Sequence, residues 1–257
     1  MRDAAPQAAT IADRRLRLFC FPYAGRGGSI YRGWRDGLPD AIEVCPVTLP
    51  GREHRLAEPA FDDVRALAAA MARELSALFE PPFAFFGHSM GALVAFELAR
   101  HLRRNGRPGP ACLAVSAYRA PHIPNDDGTT YDKPTEEFLA ELRRLDGTPN
   151  EVLGHPELLD LILPVLRADF KAVESYRYDP EPPLACPIVA YGGMRDDEIP
   201  SEHIMAWRDQ TLCDFRARMF DGGHFYVDAR RDEVVAQLGT DLRHFCGPGD
   251  TAPPGGE

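Results

Sequence analysis

Phe83-Ala84-Phe85-Phe86-Gly87-His88-Ser89-Met90-Gly91-Ala92-Leu93-Val94 is the stretch on which the reading of this chain turns. Residues 83–86 make an apolar run of strand type, 87–91 a sharp turn, and Ala92 to Leu102 a helix of small and apolar residues. A serine at a strand-to-helix turn, with a glycine two residues to either side, has the pattern of a nucleophile elbow. Its basis is steric. The turn lifts the Ser89 hydroxyl clear of the sheet, and a side chain at 87 or 91 would strike neighbouring backbone. The five letters also arise by chance, so their weight comes from lying between a strand and a helix. The plainer alternative is a glycine-rich turn whose serine only caps the helix.

Upstream, Leu16-Arg17-Leu18-Phe19-Cys20-Phe21 is a first strand, stopped by Pro22 and followed by the glycine-rich loop Tyr23 to Ser29. That loop matches neither the dinucleotide nor the Walker spacing. A loop at the carboxyl end of a strand can instead supply a backbone N–H to an oxyanion hole, or simply lead into a helix around Tyr31 to Leu38. Ile42 to Leu49 is the next strand, closed by Pro50-Gly51, and Arg52, His54 and Arg55 follow in what reads as a solvated loop. Apolar residues at 64, 67, 68, 71, 75 and 78 predict a helix within Asp62 to Phe79, with two aspartates at its start to suit the dipole.

Downstream of the elbow, Cys112 to Ala117 is a further strand. Strands alternating with helices of about a dozen residues indicate an α/β fold, a mostly parallel sheet with helices on both faces. The rhythm then stops. Residues 122–183 hold no strand candidate, while Thr135 to Leu145 and Pro156 to Tyr176 have helical periods, the second divided or kinked at Pro164. Such an insertion suits a lid over a pocket, or an ordinary helical subdomain. The α/β pattern resumes with Pro187 to Tyr191, then a helix capped by Ser201 through Gln210, a strand from Phe215 to Phe220, and a closing helix to Phe245. The expected organisation is a disordered leader 1–15, a core formed by 16–121 and 184–246, a helical lid 122–183, and a disordered tail 247–257.

The chain has 257 residues and a formal charge of −10, which disfavours nucleic acid as a partner. No apolar run approaches the ~20 residues of a membrane span, and residues 1–15 lack the apolar core of a secretory signal. Six scattered cysteines without a Cys-x-x-Cys pair read as reduced thiols of a cytoplasmic protein. No metal-ligand spacing is present, and no cofactor is expected.

Three motifs fall after three strands in the order Ser89, Asp196 or Asp197, His224. A neutral hydroxyl is a poor nucleophile; His224 would serve as its base, and a carboxylate would fix the ring's tautomer and stabilise the imidazolium. Serine, acid, histidine is the chain order of the α/β-hydrolases. Singly, each residue has a dull reading: a surface histidine, an aspartate pair capping a turn. Asp196 is preferred because it falls three residues after a strand-ending glycine pair. His88 fills the variable position of the elbow, where packing, or support of the catalytic groups from behind, is the expected role rather than chemistry.

Five segments in register across roughly 16–245 resemble the type II thioesterases that accompany polyketide synthases and nonribosomal peptide synthetases: Phe19-Cys20-Phe21-Pro22-Tyr23-Ala24-Gly25, Leu49-Pro50-Gly51-Arg52, Gly87-His88-Ser89-Met90-Gly91-Ala92, Gly192-Gly193-x-x-Asp196 and Gly222-Gly223-His224-Phe225. The resemblance implies hydrolysis of acyl thioesters from the phosphopantetheine arm of acyl or peptidyl carrier proteins, and a substrate-gating role for the insertion. It also implies backbone amides of Ala24 and Met90 as the oxyanion hole. Asp197 departs from the family, in which many members have proline after the acid. Carrier proteins are usually acidic, so docking on a chain of charge −10 is expected to use a local patch such as Arg52/Arg55 or Arg100/Arg103/Arg104, or apolar contacts. A monomer, without nucleic-acid or membrane partners, is the expected state. The competing readings are a general carboxylesterase or lipase and a non-catalytic α/β-hydrolase homologue that only binds.

Overall fold

The computed structural model describes residues 15–246 except 81, 126, 127, 146 and 149. The expected leader, apart from residue 15, and the expected tail from 247 onward lie outside the described residues. Six strands run β1 Leu16–Phe21, β2 Ile42–Pro46, β3 Phe83–His88, β4 Cys112–Ser116, β5 Ile188–Gly193 and β6 Phe215–Phe220. They form one sheet in the order β2-β1-β3-β4-β5-β6, every neighbouring pair parallel. Strand order reverses between β1 and β3, and open sheets of this kind leave a crevice beyond the carboxyl ends of the strands at that point. The Ser89 turn and the Tyr23–Gly25 loop both stand there.

Strand alternation divides the interior in two. Phe19, Phe21, Phe83, Phe85, Leu113 and Val115 face one core, where helices α1 (Val64–Glu74) and α2 (Met90–Arg104) pack. Leu18, Cys20, Ala84, Phe86, Cys112 and Ala114 face the other, covered by the last helix of the chain. Parallel strands buried on both faces must be apolar on both, which is why these runs read as continuous rather than alternating. Asp63 caps α1, its carboxylate accepting the Ala66 N–H at 2.7 Å.

Between β4 and β5 the described residues contain three helices and no strand: α3 Thr135–Leu145, α4 Asn150–Leu153 and α5 Pro156–Glu174. They share a small core of their own around Phe138, Leu142, Leu153 and Leu166. α5 is not divided at Pro164. That residue is exposed, so the carbonyl that loses its intrahelical donor can be hydrated. Helix α6 Ser201–Met205 follows β5, and α7 Tyr226–Ala229 and α8 Arg231–Cys246 follow β6. Among the described residues no helix is long and apolar enough to cross a membrane.

Several boundaries differ from the sequence expectation. Instead of a helix over 31–38 there are two short 3₁₀ turns, Gly28–Tyr31 and Trp34–Gly37, separated by Gly33 at φ 81°. Their purpose is local: they sink Tyr31 and Trp34 against Phe86. β2 stops at Pro46, short of the expected Leu49, although the Val47 N–H still donates to the Cys20 carbonyl at 2.9 Å; the proline is tolerated because β2 is an edge strand. Ser201 is the first residue of α6, with Pro200 at the cap, and that helix tightens to 3₁₀ over Ala206–Gln210. All six cysteines are free thiols.

Candidate active site

Ser89 sits between β3 and α2 at φ 52°, ψ −120°, a combination that L-residues avoid. The two glycines make the turn possible. A Cβ on Gly87 would lie 2.1 Å from the Gly91 carbonyl oxygen, and one on Gly91 would lie 2.1 Å from the Phe21 carbonyl oxygen. The Ser89 N–H donates to the Ser116 carbonyl of β4 at 2.8 Å, tying the elbow to the next strand.

His224 follows β6 and bridges the other two groups. Its Nε2 lies 3.0 Å from Ser89 Oγ, and its Nδ1 lies 2.9 Å from Asp196 Oδ2. Asp196, in the turn after β5, is almost fully buried, and its second oxygen accepts the N–H groups of Glu198 at 2.9 Å and Ile199 at 3.1 Å. Those donors fix the orientation of the carboxylate. Asp197 is exposed; it lines the neighbouring cavity but has no hydrogen bond to His224. With Nδ1–H directed at Asp196, Nε2 is free to accept the serine proton, the arrangement of a serine-hydrolase relay.

The backbone amides of Ala24 and Met90 have no acceptor among the described residues, and both residues line the cavity that opens over Ser89 and His224. Met90 opens α2, so its N–H is one of the unsatisfied donors at the positive end of a helix. Two hollows meet at Ser89. One, of about 420 Å³, is polar at its edge, with Lys133, Glu141 and Glu174. The other, of about 70 Å³, is apolar, walled by Leu142, Leu145, Leu166, Phe170 and Phe225. Helices α3 and α5 contribute to both. Among the described residues there is no group of three or more His, Cys, Asp and Glu that could hold a metal ion.

His88 is fully buried behind the relay. Its Nδ1 pairs with Ser116 Oγ at 2.8 Å, Ser116 Oγ pairs with the Tyr226 hydroxyl at 2.5 Å, and its ring meets that of His224 edge-on at 5.6 Å. Burial, helped by repulsion from His224, pushes the His88 pKa down, so this ring is neutral. Sequence reading assigned His88 a role in packing or in supporting the catalytic groups but did not anticipate Ser116 or Tyr226, whose positions in a strand and after the histidine carry no local mark.

The arginines considered as a docking patch are engaged within the chain. Arg52 is buried in a two-pronged pair with Asp169 of α5 at 2.8 and 2.9 Å. Arg55 pairs with Glu58 and Glu74, and Arg100, Arg103 and Arg104 share Glu97 and Glu181. Arg52 is therefore not the solvated loop cation its neighbours in sequence suggested. Its partner lies 117 residues away.

A thioesterase-domain family model matches residues 16–242. The gramicidin S biosynthesis protein GrsT of Aneurinibacillus migulanus is 42% identical over 234 residues, 91% of this chain and 91% of that protein. Among solved structures, the RedJ thioesterase of the prodiginine pathway in Streptomyces coelicolor aligns with a TM-score of 0.84 at 41% identity, covering 94% of this chain and 97% of that one. The type II thioesterase BorB of the borrelidin cluster aligns at 0.81 and 38%, covering 94% and 96%. A triad-like cluster at the switch point of a parallel sheet, similarity along nearly the whole chain and a matching family model converge: the chain belongs to the thioesterase family, as an α/β-hydrolase-fold thioesterase of the type II kind that serves polyketide and nonribosomal peptide pathways.

Proposed function

We propose that this chain removes acyl groups from the phosphopantetheine arm of carrier proteins through a covalent acyl-enzyme on Ser89. The observation that carries the reading is the unbroken relay from Asp196 through His224 to Ser89, at 2.9 and 3.0 Å. His224 takes the Ser89 proton as the hydroxyl oxygen attacks the thioester carbonyl. The oxyanion is held by the amides of Ala24 and Met90, each such donor being worth ~2.7–4 kcal/mol. Collapse breaks the C–S bond, and the pantetheine sulfur leaves with the proton from His224. A water, deprotonated by the same ring, then attacks the acyl ester, and the carboxylic acid departs as Ser89 regains its proton.

The helices between β4 and β5 act in this scheme as a lid. α3 and α5 supply the apolar hollow for the acyl group, and the larger, polar-edged hollow admits the pantetheine arm. The relatives' names, a gramicidin S biosynthesis protein and a borrelidin-cluster type II thioesterase among them, support carrier-bound substrates and a cytoplasmic setting beside the synthases. Turnover of an acyl-loaded carrier protein and of a soluble oxygen ester of the same acid tests the proposal. A kcat/KM for the carrier well above that for the ester is expected. Preference for the ester would favour a general esterase, and failure of Ser89 to react with a fluorophosphonate would favour a protein that only binds.

A further inference from the structure

The geometry points to Asp169, on helix α5 of the insertion, as a positioning residue that assembles the oxyanion hole, so that the hole is complete only while α5 is seated on the sheet. This rests on the proposed role of the Ala24 amide. The Tyr23–Arg26 turn is closed by the Arg26 N–H on the Tyr23 carbonyl at 3.1 Å, with Ala24 and Gly25 in its middle and Gly25 at φ 74°. A turn with positive φ at its third residue can flip its central peptide plane, because glycine tolerates either form. Here that plane is held from outside the loop: the Gly25 N–H donates to Asp169 Oδ2 at 2.7 Å. Holding it fixes the peptide that follows Ala24 and thus the pitch of the loop that presents the Ala24 amide.

The carboxylate is itself fixed. Asp169 is 1% exposed and receives both terminal nitrogens of Arg52. Arg52 also donates to the carbonyls of Pro50, at 3.2 Å, and Arg26, at 3.3 Å, so one guanidinium joins the loop after β2, the Tyr23–Arg26 turn and the insertion. One turn earlier on α5, the Leu166 side chain occupies the space that a Cβ on residue 25 would need, and Phe170 walls both hollows. A single face of α5 therefore touches the loop, the anchor and the acyl hollow. A second bridge among the described residues from the insertion to a catalytic loop, Arg144 to Glu198, lies at the surface with side chains 53% and 34% exposed, and such pairs hold little. Displacing α5 would withdraw the acceptor from Gly25 and the counter-ion from Arg52, so lid and hole move together.

The test separates the charge pair from the acceptor. Arg52→Met/Asp169→Leu removes both, and apolar replacement of a whole buried pair commonly leaves folding intact. Arg52→Met/Asp169→Asn removes the charges but keeps an oxygen for the Gly25 N–H. Each is compared with the parent for kcat, KM, the affinity of an acyl trifluoromethyl ketone, which forms an oxyanion on the serine, and the affinity of an uncleavable thioether analogue. The leucine variant is expected to lose roughly 10- to 100-fold in kcat and as much in ketone affinity, with thioether affinity unchanged. The asparagine variant recovers most of that loss. Equal behaviour of the two double variants overturns the inference, as does a parallel fall in ketone and thioether affinity, the mark of a displaced wall rather than a misplaced amide. Should the leucine variant not fold, Arg52→Met/Asp169→Ala takes its place in the same comparison: a loss in kcat and ketone affinity relative to the asparagine variant supports the inference, and equality with it overturns the inference. A parent that forms no adduct with the ketone at Ser89 would instead overturn the proposed mechanism, and this inference with it.

Discussion

Replacing Ser89 by glycine should stabilise the folded chain while abolishing its activity. The serine is at φ 52°, where the left-handed well requires ψ near +30 to +60°, yet its ψ is −120°. A Cβ in such a conformation costs of order 1–3 kcal/mol. Glycine removes that cost and gives back about 0.5–1 kcal/mol through the larger freedom of its unfolded chain. Ser89→Ala is the reference, because it keeps the Cβ and loses the same hydroxyl contact to His224, so that contact cancels. The glycine variant should exceed the alanine variant by about 1 kcal/mol, within bounds of about 0 and 2.5, in urea unfolding. In a domain of this size the central value is about 2–4 °C in Tm. Calorimetry and urea titration of the two inactive variants provide the measurement. A glycine variant no more stable than the alanine variant would refute the claim that the elbow stores strain at residue 89.

Two further outcomes follow from the same geometry. Asp196→Asn should lower kcat by about 10³–10⁴-fold, because the amide cannot hold the required tautomer of His224, whereas Asp197→Asn should remain within about threefold of the parent; a larger loss at 197 would reassign the acid. His88 is held neutral by burial, with its pKa below the ordinary histidine value. Once pH falls below about 6.5 the unfolded chain takes up a proton that the folded chain refuses, so this group's contribution is complete above that pH and declines on acidification, with a limiting slope of about 1.4 kcal/mol per pH unit. Urea unfolding between about pH 7.5 and 5.5 should therefore show a shallower dependence for His88→Asn than for the parent. Identical slopes would contradict the buried-neutral assignment.

The sheet was legible because its central strands, such as Phe83–His88 and Ile188–Gly193, are apolar on both faces and reach a glycine, while Phe215–Phe220 alternates as an edge strand does, and these signals are local. The elbow was legible for the same reason: Gly87, Ser89 and Gly91 meet a steric demand set within five residues. Asp196 and His224 could be picked out because each follows a strand with a glycine pair nearby, and the preference for Asp196 over Asp197 agrees with its 2.9 Å contact to His224. The segment 28–38 was misread because its 3₁₀ turns are shaped by where Tyr31 and Trp34 must go, a tertiary demand that periodicity does not register. Arg52 and Asp169 were illegible as a pair: a loop arginine and a helical aspartate 117 residues apart look solvated until the chain brings them together. Ser116 and Tyr226 were hidden likewise, since the chain of contacts from His88 runs to the neighbouring strand β4 and on to the start of α7.

Incubation of Ser89→Ala with an acyl-loaded carrier protein, followed by intact-mass analysis of the carrier, tests the central claim most directly. The account predicts that the acyl mass stays on the carrier, with unloading slowed by about 10⁴-fold or more, while the parent returns the free phosphopantetheine form and, when quenched during turnover, bears the acyl group on the peptide that contains residue 89. Unloading by Ser89→Ala at the parent rate would contradict it.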